Sequence, residues 1–311
     1  MKVAIFSLLI TLAATCNRQV LELEVIDTKL LQNVPSASGI TKAGENFYVV
    51  GDDSPYLFEV KDDGEILDRT TIYATDLLNG NRLDKVKKPD FEALETINEN
   101  EILAFGSGAK SPERDIFLHI SLEDSTSVKT YQITEFYNRL RNNSTLDGEH
   151  LNIEGVALYH DNIYLFNRGK NVIFSFIYAD LMDYVDGKTS VFPEPETLLY
   201  ELPEIDGFQS GFSGATILEE ENLVIFTASV EKTGTAYHDG EIAGSFIGTI
   251  PIINNTFSDI YSVAAIPSTG APLKVESVTV AEKTPEGNIR VALVTDDDKG
   301  NSLRLNCLLK I

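Results

Sequence analysis

Residues 151–167 read LNIEGVALYHDNIYLFN: Glu154, a glycine and an apolar residue open one strand, and a second apolar strand follows a polar turn. The same order of a Ser or Glu, a small residue and an apolar residue recurs along the chain. The five instances are Ser38-Gly39-Ile40, Glu92-Ala93-Leu94, Glu154-Gly155-Val156, Ser213-Gly214-Ala215 and Glu276-Ser277-Val278. Their first residues are separated by 54, 62, 59 and 63 positions, which predicts an array of five similar units.

Each unit is predicted to contain four short strands. In the first unit they fall at 39–42, 46–51, 56–60 and 65–73, with Asp62-Asp63-Gly64 as a hairpin turn, and in the third at 152–159, 162–167, 172–178 and 197–202. The fifth unit has three strands before the chain ends. Residues 20–30, VLELEVIDTKL, largely alternate apolar and polar residues and are predicted to supply its fourth.

The sequence therefore predicts an all-β fold, a five-bladed β-propeller in which the N-terminal strand completes the last blade. Residues 16–311 are expected to form this single domain, and a six-bladed ring is the alternative. Helical periodicity is confined to 134–141, where Thr134 is a candidate N-cap, and to 179–185.

The N-terminus reads as a sorting signal. Lys2 precedes an apolar stretch at 3–14 that is too short to span a membrane, and Ala13-Ala14-Thr15 leads to Cys16. This arrangement resembles the lipobox of bacterial lipoproteins. It implies a signal peptide at 1–15, lipidation of Cys16 and export to the bacterial cell envelope, with an ordinary secretory signal as the alternative.

The chain is strongly acidic, with 48 acidic and 25 basic residues and a formal charge of −23. Nucleic acid and anionic lipid bind clustered Lys and Arg, so neither is an expected partner, and membrane contact is expected only through the lipid anchor. Acidic character suits a divalent cation, although by itself it more often serves solubility. We expect a monomer.

The repeat also predicts a site. The innermost strand of each blade lines the channel and the next strand runs antiparallel to it, so the start of the first and the end of the second share one face. Three carboxylates and two hydroxyls meet there in an oxygen-only environment that suits calcium better than magnesium. A water-filled acidic channel is the alternative. The predicted metal ligands are Ser38, Glu92, Glu154, Ser213 and Glu276.

The ends of the second strands bring further charged residues to the same face. Arg and Lys beside a divalent ion hold and polarise phosphoryl groups, whereas the plain alternative is ordinary ion pairs in exposed loops. The candidates are the bases Lys110, Arg114, Arg168 and Lys170, the carboxylates Asp52, Asp53, Glu231 and Glu241, and the loop residues His238, Asp239, Asp296, Asp297 and Asp298.

Several phrases carry a resemblance to a known family: FYVVGDDSPYLFEV, KKPDFEALETINENEILAFGSGAK, LNIEGVALYHDNIYLFNRGKN, GFSGATI and KVESVTV. The order Ser, Glu, Glu, Ser, Glu resembles the calcium ring of the soluble calcium-activated nucleotidases (the apyrase family), which are five-bladed propellers. The resemblance implies that the five inner-strand residues bind calcium, that Asp52 and Asp53 lie near the metal and that Arg168 contacts phosphate. The chain also looks like uncharacterised bacterial propeller lipoproteins and, more loosely, phytase-like esterase propellers.

The chain departs from the nucleotidase pattern at two places. The family's Asp-Arg-Thr-Gly is Asp53-Ser54-Pro55-Tyr56 here, and its paired arginines in the third blade are Arg168-Gly169. The sequence is therefore compatible with two functions. The first is an extracytoplasmic calcium-dependent hydrolase of a small phosphate ester or anhydride, with Asp52, Asp53 or Glu231 activating water and Lys110, Arg114 and Lys170 assisting Arg168. The second is a non-catalytic propeller that binds a ligand or protein partner while calcium braces the ring.

Overall fold

The computed structural model describes residues 21–311 except 77, 81, 124–125, 233–239, 269 and 297–301. Within this part of the chain, five antiparallel sheets form the blades of a five-bladed β-propeller. The predicted five-bladed fold is confirmed, and the six-bladed alternative is wrong.

The first half of the chain forms one strand of the last blade and then two complete blades. Strand β1 (Glu22–Leu31) comes first. Blade one contains β2 (Ala37–Ala43), β3 (Asn46–Gly51), β4 (Tyr56–Val60) and β5 (Ile66–Thr71), and a small hairpin of β6 (Leu78–Asn79) and β7 (Arg82–Leu83) follows it. Blade two contains β8 (Phe91–Asn98), β9 (Glu101–Gly106), β10 (Ile116–Ser121) and β11 (Ser127–Gln132).

Two short helices lie next to the strands of blade three in the chain. Helix α1 (Thr134–Arg141) and a 3-10 turn (Ser144–Leu146) precede it, and helix α2 (Tyr178–Val185) interrupts it. The blade contains β12 (Ile153–Tyr159), β13 (Asn162–Asn167), β14 (Val172–Ile177) and β15 (Glu196–Leu199). None of the helices in the described residues is long and apolar enough to cross a membrane.

The last two blades complete the ring. A hairpin of β16 (Glu204–Ile205) and β17 (Phe208–Gln209) leads into blade four, which contains β18 (Gly211–Leu218), a 3-10 turn (Glu219–Glu221), β19 (Leu223–Lys232), β20 (Glu241–Ile253), β21 (Thr256–Phe257) and β22 (Ser262–Ala265). Blade five contains β23 (Lys274–Lys283), β24 (Ile289–Asp296) and β25 (Ser302–Lys310), with β1 as its outer strand.

The ring closes as predicted, because β1 pairs antiparallel with β25. Glu22 lies opposite Lys310, at the end of the blade where β23 finishes, whereas Leu31 lies opposite Ser302. The described chain therefore begins and ends on the face of the propeller opposite the starts of the inner strands.

The core consists of five apolar clusters, one between each pair of adjacent blades. Successive side chains of a strand point to opposite faces, so each blade contributes to two clusters. On β8, for example, Ala93 packs toward blade three and Leu94 toward blade one. Both faces of every blade are thereby covered, which explains the nearly continuous apolar character of the middle strands.

Small differences from the predicted elements have local causes. The outer strand of blade one ends at Thr71 because the backbone N–H groups of Ile72 and Tyr73 donate to the carbonyl oxygen of Pro55. Strand β14 ends at Ile177 because α2 begins at the next residue. The prediction of Thr134 as an N-cap is wrong: Ile133 occupies that position, and the Thr134 hydroxyl accepts a hydrogen bond from Gln132 Nε2.

Arg304 on β25 connects blade five to blade one through hydrogen bonds. Its side chain is fully buried, its Nη1 donates to the carbonyl oxygens of Lys61 (2.6 Å) and Asp62 (3.0 Å), and its Nη2 donates to Asp62 Oδ1 (2.9 Å). The guanidinium also lies 3.9 Å from the centroid of the Phe47 ring. These contacts join blade five to blade one next to the point where the chain closes the ring.

Replacing Arg304 by Met is expected to lower the free energy of unfolding by about 2–3 kcal/mol, because hydrogen bonds from a charged donor to three acceptors are lost. Arg290→Met is the matched control, since Arg290 pairs with the same Asp62 at 3.3 Å from a half-buried position. The control change should stay within about 0.5 kcal/mol. Urea denaturation measures both, and equal effects would contradict this role for Arg304.

Candidate functional site

Each inner strand carries a β-bulge at the first residue of the repeated motif. In all five blades the pairing register between the two innermost strands skips one residue of the inner strand. A bulge leaves the extra residue outside the ladder and re-aims its side chain. The five skipped residues are Ser38, Glu92, Glu154, Ser213 and Glu276. The repeat thus marks the positions at which the backbone itself changes direction.

The five bulged residues are not equivalent in their contacts. Ser38 Oγ donates to the carbonyl oxygen of Phe91 at 2.5 Å, and Ser213 Oγ donates to that of Val275 at 2.7 Å. Each serine therefore links its inner strand to that of the next blade. Glu92, Glu154 and Glu276 instead face a cavity at the mouth of the channel, which Ser38 also lines and Ser213 does not.

The cavity has a volume of about 950 Å³ and is dominated by charge. Ten acidic and six basic side chains line it among the residues that the structure describes. The β6–β7 hairpin overhangs one side, where Arg82 Nε donates to Asp53 Oδ2 at 2.5 Å. Carboxylates exceed bases in this enclosed space, so the bare site carries net negative charge at neutral pH.

Two ion-pair clusters organise these charges. On the side of blades one and two, the Lys88 ammonium bridges Asp52 and Asp90, with 2.7 Å between Lys88 Nζ and Asp90 Oδ1, and Arg114 Nη1 lies 2.5 Å from Asp90 Oδ2. We call this the Lys88 cluster. All four side chains are mostly buried, so this cluster is held rigidly at the wall of the cavity.

The second cluster, the Arg168 cluster, lies on blades three to five. Arg168 Nη2 is 3.0 Å from Glu231 Oε1, and its Nη1 is 3.8 Å from Glu154 Oε2. Lys274 Nζ is 3.3 Å from Glu231 Oε1 and 2.9 Å from Glu276 Oε1. Gly211 makes room for this arrangement, because a Cβ at that position would lie 2.5 Å from Arg168 Cγ.

The predicted carboxylates titrate differently. Burial raises the pKa of Glu92 well above its ordinary value, helped by the charges of Glu154 and Asp90. Burial also raises the pKa of Glu154 to about 8, although Arg168 opposes the shift, and that of Asp52 to about 6. Burial opposes ionisation of Glu231 too, but Arg168 and Lys274 overcome it and hold its pKa below the ordinary value. Glu231 is thus held as an anion, whereas the buried carboxyls of Glu92 and Glu154 have a high affinity for a proton or another cation.

The residues present fit a divalent cation in three respects. One carboxylate oxygen from each of Asp52, Asp90 and Glu92 lies within 4.8 Å of the others. Asp52 Oδ1, Asp53 Oδ1 and Glu276 Oε2 are buried atoms without a hydrogen-bond partner among the described residues. The donors are all oxygen, as calcium prefers. The Lys88 ammonium is a competitor, because it already bridges two of these carboxylates.

Some predicted residues lie away from the cavity. Lys110 Nζ donates to the carbonyl oxygen of Val86 at 2.9 Å, and Lys170 Nζ lies 3.5 Å from Asp147 Oδ2. Neither lines the cavity, whereas Asp52, Asp53, Arg114, Arg168 and Glu231 do. Cys16, His238, Asp239, Asp297 and Asp298 lie outside the described residues.

Sequence reasoning missed Lys88, Asp90, Lys274 and Arg82. A signal for two of them exists at the position two residues before each bulge, which is polar in four of the five blades. These residues are Ser36, Asp90, Asn152 and Lys274, with Gly211 in the remaining blade. Asn152 Nδ2 donates to Glu154 Oε1 at 2.6 Å, and Lys274 Nζ lies 2.9 Å from Glu276 Oε1, so in two blades this residue orients the bulged glutamate.

The chain matches one family over nearly its whole length. Residues 33–309 match the model of a family described as a family of unknown function, DUF6929. The chain belongs to this family. No curated protein matches the sequence of this DUF6929 protein.

Solved structures are similar to the DUF6929 propeller at low sequence identity. Glutaminyl cyclase from Myxococcus xanthus is 8% identical with a TM-score of 0.53, over 93% of this chain and 97% of that chain. PQQ-bound aldose sugar dehydrogenase from Streptomyces coelicolor is 12% identical with a TM-score of 0.44, over 92% of this chain and 98% of that chain. At such identities the similarity concerns fold alone.

Proposed function

We propose that this protein binds calcium at the mouth of its propeller and, with calcium bound, hydrolyses a small phosphate ester or anhydride. The observation that carries the proposal is the imbalance of charge in the cavity, where ten carboxylates face six bases and three buried oxygens lack partners. Buried charges of one sign need compensation by a proton or a cation. A divalent cation supplies it at neutral pH.

Glu92 is the ligand on which the proposal depends most. It belongs both to the ring of bulged residues and to the group that it forms with Asp52 and Asp90. Glu154 and Glu276 approach from the other blades, and the oxygens of Ser38 and Ser213 keep lone pairs beyond their hydrogen bonds. Calcium binding requires the Lys88 ammonium to move away from Asp52. The calcium affinity therefore reflects the replacement of one cation, the ammonium, by another.

Calcium, when bound, neutralises and polarises the phosphoryl oxygens of the substrate. The chain's own residues do the rest. The Arg168 guanidinium presents several donors in one plane and exchanges Glu154 and Glu231 for phosphoryl oxygens. Asp53 holds the attacking water through Oδ1, which has no partner among the described residues, while Arg82 fixes its Oδ2. Water adds to phosphorus and passes one proton to Asp53, while the bond to the leaving oxygen breaks and this oxygen departs with the bonding electron pair as an anion.

The resemblance to the calcium-activated nucleotidases supports this substrate class, and the structure bears on one departure from it. The arginine that the family has after its aspartate is absent after Asp53. Arg82 from the β6–β7 hairpin instead pairs with Asp53. A different part of the chain thus supplies a guanidinium at this side of the mouth.

A non-catalytic ligand-binding propeller is the second candidate. Five of the six bases in the cavity lining make ion pairs with carboxylates, and Lys85 also has a partner. This arrangement favours a rigid, pre-organised mouth that calcium braces while a ligand or protein partner binds.

We further propose that the protein is exported and lipid-anchored through Cys16. The chain enters the propeller on the face opposite the cavity, so a tether from Cys16 would leave the mouth open to the surroundings. Cys16→Ser should move the full-length protein from the membrane fraction of the cell to the released fraction. An unchanged distribution, with Cys307→Ser as the matched control, would contradict lipidation.

Calorimetric titration of the protein with calcium tests the metal site. Glu92→Gln and Glu276→Gln are each expected to weaken binding by about tenfold or more, because calcium affinity follows the charge of its ligands. Glu282→Gln is the matched control, since Glu282 lies on the same strand as Glu276 and is exposed at its far end. Absence of binding to the unaltered protein, or an equal loss in the control, would contradict the proposal.

Arg168→Ala separates hydrolysis from metal binding. We expect loss of turnover of nucleotides and phosphate esters by at least about a hundredfold, because removing a charged donor to the transition state costs several kcal/mol. Calcium affinity should not fall, since the change removes a positive charge. Lys170→Ala is the control two residues away, and its activity should stay within about twofold because its side chain lies outside the cavity.

The substrate panel also discriminates the two candidates. Calcium binding without turnover of any phosphate substrate by the unaltered protein would leave the ligand-binding propeller as the function. Turnover that survives Arg168→Ala would contradict the assignment of this residue.

A further inference from the structure

The channel contains a second set of polar side chains below the mouth. Each lies three residues after a bulged residue, about 10 Å further along the inner strand. Four of the five residues at this level are polar, and Ala157 is the fifth; the polar ones are Thr41, Glu95, Thr216 and Thr279. All five are at least nine-tenths buried. The proposed calcium site and the hydrolysis above use none of them.

Glu95 lies at the centre of this level. Its Oε1 accepts hydrogen bonds from the backbone N–H of Thr96 at 2.8 Å and from Thr41 Oγ1 at 3.2 Å. The Thr216 hydroxyl also lies close enough to the Glu95 carboxyl to favour its ionised form. Thr41 belongs to blade one and Thr216 to blade four, and blade four is not adjacent to blade two. The carboxyl therefore extends across the axis of the propeller.

Within the part of the chain that the structure describes, no neighbouring charge compensates the Glu95 carboxyl. Burial raises the pKa of Glu95 to about 7, and the opposing contributions are hydrogen bonds from Thr96, Thr41 and Thr216. Lys42 is the nearest base along β2, but its ammonium donates to the carbonyl oxygen of Ala281 at 2.7 Å. Above neutral pH the described structure thus holds one buried negative charge on the axis.

Thr279 provides the second observation. It occupies the equivalent position on blade five and is 4% exposed, yet the structure records no hydrogen bond for its hydroxyl within the described residues. The pleat that turns Thr41 and Thr216 toward the axis places Thr279 at the same level. One carboxylate and three hydroxyls then surround the axis with oxygen atoms alone, and hydroxyls retain lone pairs for a cation.

We propose that this level of the channel is a site for a small monovalent cation such as sodium. A single carboxylate matches one positive charge, whereas calcium sites combine several carboxylates. The channel is also narrow: a Cβ on Gly214 would lie 2.6 Å from the Cα of Ser277, so the inner strands nearly touch. The ion fixes the inner strands of blades one, two, four and five around one charge.

Thermal melts in sodium chloride and in choline chloride of equal ionic strength test the site, with EGTA present to remove calcium. At pH 8 sodium is expected to raise the melting temperature by about 2–4 °C over choline, because an ion that binds only the folded state stabilises it. At pH 5 the proton occupies the carboxyl and the difference should vanish. In choline, the raised pKa of Glu95 contributes to the stability of the folded state at pH 5. This contribution is lost as the pH rises through 7.

Two variants make the result specific. Glu95→Gln should abolish the sodium increment and reduce the loss of stability between pH 5 and 8, to which the raised pKa values of Glu92 and Glu154 also contribute. Thr279→Val keeps the carboxyl and removes only a hydroxyl, so it should raise the sodium concentration of half-effect several-fold. Identical melts of the unaltered protein in sodium and choline at pH 8 would overturn the proposal and leave a protonated or hydrated carboxyl. A sodium increment that persists in Glu95→Gln would place the ion elsewhere. Neither outcome bears on the calcium site.

Discussion

Five inner strands share the narrow space around the propeller axis, and this crowding governs the rest of the structure. The residue after each bulge is Gly, Ala or Ser, and at Gly39, Gly155 and Gly214 an added Cβ would lie within 3.0 Å of a neighbouring strand. The bulge before it relieves the ladder by leaving one residue unpaired. The same irregularity that lets the strands approach therefore releases five side chains from the ladder, and those of Glu92, Glu154 and Glu276 face the mouth.

Charge at the mouth follows from that geometry. Three of the freed side chains are glutamates brought together in a buried space, where the charge of Glu276 adds to the cost of ionising Glu92 and Glu154. The bases that offset them come from two directions: Lys274 is the first residue of an inner strand and Lys88 lies three residues before another, whereas Arg168 directly follows a second strand. The offset is partial, and the remaining negative charge is the physical basis of the proposed calcium site. Glu95, deeper in the channel, is likewise a buried carboxyl, and no base among the described residues pairs with it.

The sequence predicted the fold well because the fold is a repeat. A spacing of about sixty residues between bulge motifs placed every inner strand, and the alternation in residues 20–30 correctly placed the closing strand. The site was predictable where it depends on strand starts and strand ends, as for Glu154 and Arg168. The site was not predictable where the conformation of a loop sets the position of a side chain. Lys110 and Lys170 have the expected charge, but they pair with Glu113 and Asp147. Arg82 comes from an inserted hairpin whose position over Asp53 has no periodic signature.

The central claim is that the bulged inner strands converge on a cation at the axis. The most direct measurement is a crystal structure of the protein soaked with a lanthanide that replaces calcium, located by its anomalous scattering. The account predicts one strong peak at the mouth, about 2.3–2.6 Å from an oxygen of Glu92, with Lys88 displaced from Asp52. A mouth without a peak, in which Lys88 still bridges Asp52 and Asp90, would contradict it.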